Sequence, residues 1–240
     1  MTVWDWSVFF ANLVNPAILT GLWTTVWLTL STLALAIALG TAVALVGRME
    51  TAVTQAFYKG YVAFFRATPL LAQVAFLYSA LPQMGIRLSV VEAAIIGLTL
   101  SESPYVAEIV RSAISSVPVA QWEAARAIGM RPSTILKSIV YPQALRIAIP
   151  PLGNEFVRQL KNTSLVSVIS MTELFRATEN QTHQNFRVLE ALAVATLYYL
   201  LATAVWTHLQ SAFERRNSRW FADVGRKAGG ARQQEAVAAP

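Results

Sequence analysis

Residues 6–47 read WSVFFANLVNPAILTGLWTTVWLTLSTLALAIALGTAVALVG and contain no Asp, Glu, Lys or Arg. As a single helix this run would be roughly 63 Å long, twice the apolar thickness of a bilayer. It must therefore break. Asn15-Pro16 is the expected breakpoint, because proline lacks a backbone donor and disfavours helix in the residue before it. Residues 1–18 are then an interfacial stretch with Trp4 and Trp6 at headgroup depth. The first membrane span follows over residues 19–47. It carries small residues at helical spacing, Ala34, Ala38 and Ala42 and, beside them, Ala36, Gly40 and Ala44, and such stripes let helix backbones approach closely.

The rest of the chain extends this reading. Of its 240 residues 55% are hydrophobic and only 13% charged, with a mean hydropathy of +0.47, which points to a membrane protein. No Lys or Arg precedes Arg48, so the first apolar segment lacks the basic start of a cleaved signal peptide and is expected to be permanent. There is no cysteine and there are only two histidines, His183 and His208. Disulfides and thiolate chemistry are excluded, a histidine metal site is not expected, and neither histidine is assigned chemistry. The pI of about 9.9 does not signal nucleic acid, because the bases are scattered between apolar segments and form no single patch.

Further spans are expected at residues 60–82, 88–111, 139–160 and 189–213, giving an all-α integral membrane fold of about five transmembrane helices. The second and the last are apolar. The other two are not, because 88–111 holds Glu102 and Glu108 while 139–160 holds Pro142, Pro150, Pro151, Gly153 and Glu155. Charge and interrupted helix at membrane depth need protein or a water-filled path beside them, so these two helices are expected to line the interior of an assembly. Five spans put the two termini on opposite sides. With the N-terminus outside, 14 of the 19 basic residues fall on the inner side, which satisfies the positive-inside rule. Residues 215–240, basic and poor in apolar side chains, are expected to be a disordered tail on the anionic inner leaflet.

The loop between the third and fourth spans, about 115–138, contains Val117-Pro118-Val119-Ala120-Gln121-Trp122-Glu123-Ala124-Ala125-Arg126-Ala127-Ile128-Gly129. It reads as a short helix that starts near Pro118 and stops at Gly129. Its alanines make a narrow ridge and Trp122 an apolar anchor, suited to a groove in another protein. The bland alternative is an ordinary solvated helix. Ile139 lies ten residues after Gly129, followed by Tyr141-Pro142, and this spacing resembles the signature of importer-type ABC permeases: Glu-Ala-Ala, three residues, Gly, nine residues, Ile, one residue, Leu-Pro. Tyr141 replaces the Leu of that pattern. Resemblance from about Thr20 to Glu214 is strongest to permeases for polar amino acids. It is carried also by Arg66-Ala67-Thr68-Pro69-Leu70-Leu71, Tyr105-Val106-Ala107-Glu108-Ile109-Val110-Arg111, Pro142-Gln143-Ala144-Leu145 and Lys161-Asn162-Thr163-Ser164-Leu165.

What the resemblance implies is a membrane-spanning subunit of an ATP-driven amino acid importer in a bacterial inner membrane, working by alternating access. Its N-terminus would be periplasmic and its C-terminus cytoplasmic. Its partners would be two ATP-binding cassette subunits, a second copy or sister permease, a periplasmic amino-acid-binding protein and membrane lipid. Trp122, Glu123, Ala124, Ala125 and Gly129 would couple it to the ATPases. The chain has no Gly-x-x-x-x-Gly-Lys-Ser/Thr run, so ATP and Mg are expected on a partner, with no cofactor and no catalytic residue here. Asn162 stands where the family often has Asp, which removes an anionic partner for a lysine or arginine side chain.

For the substrate path the candidates are Glu102, Asn154, Glu155, Lys161, Asn162, Thr163 and Ser164, with Arg158 in the same polar cluster, which offer both anion and cation partners beside interrupted helix. The alternatives are a hydrogen-bonded structural Glu102 and, for the end of the fourth span, a polar surface loop. Arg66, Glu108 and Arg111 are expected to be structural charge pairs. Polar, broken helices also suit an ion-coupled secondary transporter. A membrane-embedded enzyme finds no nucleophile–base pairing, His-Glu-x-x-His motif or paired aspartates to rest on.

Overall fold

The computed structural model describes the backbone of residues 4–49 and 51–237, and side chains except at 184, 185 and 216–237. Residues 1–3 and 238–240, the ends of the expected N-terminal stretch and tail, lie outside the described residues. The described chain is helical almost throughout. A short α1 (Trp6–Leu13) precedes the long α2 (Pro16–Val46), and the break falls at Asn15-Pro16 as expected. Asn15 caps α2 by accepting from the Ala17 N–H at 2.9 Å, and Pro16 fills the first turn, where its missing donor costs nothing.

Among the described residues three helices are long and apolar enough to cross a bilayer: α2, α5 (Val90–Ser115) and the first part of α10, Val188–Arg215. Exposed leucines and aromatics such as Trp23, Leu30 and Leu35 on α2, and Leu200, Leu209 and Phe213 on α10, clothe their outer faces, as a lipid-facing surface requires. The expected 60–82 span differs from the structure. There α3 (Ala52–Ala67) and the segment Leu70–Met84, which begins with α4 (Leu70–Ala75), meet at 96°. Thr68 is extended and Pro69 has no N–H, so helix cannot pass through them. Gln73 bridges the bend, its Nε2 donating to the Thr68 hydroxyl at 2.8 Å and to the Phe65 carbonyl at 3.1 Å. A bent pair, with the geometry of a broken span or a re-entrant loop, thus stands in place of a straight helix.

The expected fourth span is α8 (Tyr141–Asn162), entered through a short α7 (Pro132–Ile135) and a π turn, Leu136–Val140. With Arg146, Glu155, Arg158 and Lys161 it is less apolar than the other long helices, and it is shielded in part by protein. Trp206 of α10 donates to the Gly153 carbonyl at 2.9 Å, and the Phe156 and Trp206 rings stack at 3.7 Å. A Cβ at Gly153 would lie 2.3 Å from the Gln210 side-chain amide, so a larger residue there would require that flexible side chain to move. A 3-10 turn (Thr163–Ile169) and α9 (Leu174–Asn185) lead to α10 (Val188–Val237). The α10 backbone runs on to Val237, over most of the tail that starts at 215.

Packing is closest between α2 and α5. Of the two small-residue stripes on α2 the structure uses one: Ala36, Gly40 and Ala44 are buried, while Ala34, Ala38 and Ala42 face outward. At Gly40 an added Cβ would meet the Ser103 carbonyl at 2.5 Å. Pro104, inside α5, has no N–H for the Leu100 carbonyl, and the Ser103 hydroxyl supplies a donor at 3.1 Å. Gln159 of α8 donates to Thr32 of α2 at 2.8 Å and to the Leu98 carbonyl of α5 at 3.4 Å. These bonds hold α8 against the α2–α5 pair.

Candidate functional site

Glu102, on α5, is 1% exposed. Its Oε1 accepts from Arg158 Nη2 of α8 at 2.9 Å, and Glu155 Oε2, one turn earlier on α8, lies 2.5 Å from the same nitrogen. One guanidinium therefore serves two carboxylates, and the group carries an excess negative charge when all three are ionised. Arg158 also lies 3.6 Å from the centre of the Tyr105 ring, and Arg66 approaches that ring at 5.1 Å. Arg66 in turn pairs with Glu108 at 2.5 Å. The expected structural pairing thus holds for Arg66 and Glu108, whereas Arg111 lies 4.9 Å over the Tyr58 ring.

A cavity of about 390 Å³ opens onto this centre, with Glu102, Tyr105, Arg158 and Asn162 on one wall and the Thr68-Pro69 bend on the other. Two neighbouring cavities share Tyr105 and Glu108 with one another, and one of them reaches Glu155 and Pro151. Together they follow the faces of α5 and α8 beside α3 and the Thr68-Pro69 bend. Of the expected path residues, Glu102, Glu155 and Asn162 are brought to this line. Asn154 and Lys161 are exposed and line none of these cavities. Thr163 is buried and turns its hydroxyl to the Leu160 carbonyl, while Ser164 donates to the Lys161 carbonyl, both local bonds at the end of α8. Arg158, read from the sequence as one of the polar cluster ending the fourth span with a surface position as the alternative, is central here, as is Tyr105, which was not singled out as a path residue. A base three residues after Glu155 on the same helix face was the signal for Arg158.

A second carboxylate, Glu173, escaped the sequence entirely. It is 0% exposed and caps α9, accepting from the Phe175 N–H at 2.9 Å and the Arg176 N–H at 2.7 Å. Tyr199 donates to it at 3.0 Å and Thr25 approaches at 3.5 Å. All of these partners are uncharged donors.

The expected loop helix is α6 (Val119–Ala127). Pro118 precedes its first turn, and Gly129 ends it with φ +77. Gly129 N–H donates to the Arg126 carbonyl and Met130 N–H to the Ala125 carbonyl, the paired bonds of a left-handed helix stop that favours glycine. Ala125 turns inward against Ile114 and Ile135, and Trp122 is half-buried with Arg48 5.3 Å over its ring. Glu123, Ala124 and Gly129 face outward, flanked by the exposed Val119 and Ile128.

Residues 36–219 match the family model described as "Binding-protein-dependent transport system inner membrane component". The chain is 35% identical over 223 residues to the "Probable amino-acid permease protein YxeN" of Bacillus subtilis (strain 168), covering 91% of this chain and 98% of that protein. It is 30% identical over 214 residues to the glutamine transport system permease protein GlnP of Escherichia coli (strain K12), covering 88% and 97%. Among solved structures, a crystal structure of an amino acid ABC transporter with histidines superposes with a TM-score of 0.83 at 32% identity, over 90% of this chain and all of that one.

Proposed function

This chain belongs to the family of binding-protein-dependent transport system inner membrane components, a multi-pass membrane permease, and on that premise we propose that it is the translocating subunit of an ATP-driven importer for polar amino acids. The observation that carries the reading furthest is the charged centre. Glu102, Glu155 and Arg158 sit with Asn162 and Tyr105 along cavities between two proline-containing helices. A zwitterion needs partners of both signs, and this centre offers both while excluding bulk lipid. The names of the similar proteins, amino-acid and glutamine permeases, support the substrate class.

In this reading the N-terminus is periplasmic and the C-terminus cytoplasmic, by the distribution of bases. A soluble binding protein delivers the amino acid, and two ATP-binding cassette subunits hydrolyse ATP with Mg. Glu123, Ala124 and Gly129 present α6 to an ATPase, while Trp122 and Ala125 hold α6 on the membrane core. Movement of α6 passes through α7 and the π turn into α8, which carries Glu155 and Arg158. Closure and opening of the ATPase pair then switch the cavities between two packings, each exposed to one side.

The test is uptake of labelled amino acids by cells with and without the chain, repeated after ATP depletion with ion gradients held. Uptake of a few polar amino acids that vanishes on depletion supports the proposal. Uptake that survives on a gradient would make the chain a secondary transporter and void the coupling assignment. Gly129→Val adds a residue-level arm: there is open space around its Cβ position, so only backbone strain of about 1–2 kcal/mol is added. Substrate-stimulated ATP hydrolysis should fall while the permease remains in the membrane, and unchanged stimulation would remove Gly129 from the coupling role.

A further inference from the structure

A separate cavity of about 400 Å³ lies between α2, α5 and the α7–α8 rod, away from the Arg158 centre. Its walls are nearly all carbon: Ile37 and Leu45 of α2, Val110 and Ile114 of α5, Ala148 and Leu152 of α8. A polar amino acid would find few partners there, with Thr41 adding a single hydroxyl on the α2 wall. Along the rod the lining changes character. Ser133, Lys137 and Tyr141, all exposed, come first, and only Ala144, Leu145, Ala148 and Leu152 follow. From Lys137 to Leu152 the rod rises by roughly 22 Å, somewhat more than the apolar depth of one leaflet.

A groove with carbon walls one leaflet deep and a cation at its mouth has the chemistry of an amphiphile with an anionic head. The stretch of chain that carries that mouth has charge of one sign. Between Glu123 and Glu155 the chain has no acidic residue, yet it has Arg126, Arg131, Lys137 and Arg146. A partner helix would fill the walls but would give no role to the ammonium. We propose that this groove holds an acyl chain of an anionic phospholipid, its phosphate held by Lys137 with the Ser133 and Tyr141 hydroxyls beside it. The lipid wedges α2 against the rod that joins α6 to the charged centre.

The transporter, assembled with its partner subunits in nanodiscs, is irradiated with phosphatidylglycerol or phosphatidylcholine carrying a photoreactive acyl chain, and the adducts are mapped by mass spectrometry. Phosphatidylglycerol should label the groove walls on α2, α5 and α8 in preference to phosphatidylcholine, and excess inorganic phosphate should not compete. Lys137→Gln, a surface change that alters no packing, should lower that yield about fivefold. Ala148→Phe should abolish it by filling the groove. Equal labelling by the two lipids would make the contact ordinary bilayer lipid and overturn the proposal. Labelling by neither would mean that a protein partner covers the groove, and competition by free phosphate would mean that the acyl chain contributes nothing; either result also overturns it.

Discussion

Glu102 and Glu173 are both carboxylates sealed from solvent, 1% and 0% exposed, yet their surroundings differ in kind. Glu102 is held by a cation that it shares with Glu155, and the cation faces a cavity. Glu173 is held by two backbone N–H groups and by the hydroxyls of Tyr199 and Thr25, which join α9 to α10 and α2. Burial alone therefore does not mark a transport residue. Donors fixed in the backbone make a joint, whereas a side-chain cation that can exchange partners makes a site where a charged ligand can compete.

The largest effect should come from Arg158→Met. It leaves Glu102 and Glu155 beside one another without their cation, and breaking a buried pair by removing one member costs about 3–5 kcal/mol. The low end applies, because the Arg158 side chain is 33% exposed. Uptake should be lost and the thermal midpoint of the purified transporter lowered. A variant that is fully active would refute the shared-cation description of the centre.

The next pair sharpens the comparison directly. In Glu173→Gln, each carboxylate oxygen faces a backbone N–H, so the new amide must turn an NH2 group towards one of them. One donor is then left unsatisfied, at a cost of about 1–3 kcal/mol. The midpoint should fall while uptake per assembled complex is retained. In Glu102→Gln the amide oxygen can still accept from Arg158, so stability should fall by less than about 1 kcal/mol and the midpoint should move little. Uptake should fall about tenfold or more, since one charge of the centre is gone. Equal ratios of stability loss to transport loss in the two variants would break the distinction between joint and site.

The same contrast explains what could be read from the amino-acid sequence. Glu102 stands inside an apolar run, where a carboxylate is conspicuous. Glu173 lies in a polar stretch, Met171 to Arg187, that resembles a surface loop; only the return of the 3-10 turn and α9 onto α2 buries it. The break at Asn15-Pro16 was legible because an overlong apolar run demanded one. The break at Thr68-Pro69 was not, since 60–82 already has the length of a span and nothing in its hydropathy demands a bend. Lys161 and Asn154 share a short segment with Glu155 and Asn162, but helical spacing sends them to the exposed side. Proximity in sequence grouped residues that the 3.6-residue period separates.

The smallest effect is expected at the outermost carboxylate of the same row. Glu108 pairs with Arg66 at 2.5 Å, but the two side chains are 43% and 42% exposed. Solvent screens the pair, and such ion pairs contribute about 0–1 kcal/mol. Arg66 keeps its contact with the Tyr105 ring when Glu108 is neutral, so Glu108→Gln should leave the midpoint nearly unchanged. Its effect on uptake should be less than that of Glu102→Gln and should shrink as salt is raised, because salt screens an exposed pair far more than a buried one. Uptake measured at low and high ionic strength in both variants checks this. A salt-independent loss in Glu108→Gln as large as that in Glu102→Gln would place Glu108 in the charged centre itself, and the boundary between site and surface would move outward to the Arg66 side of Tyr105.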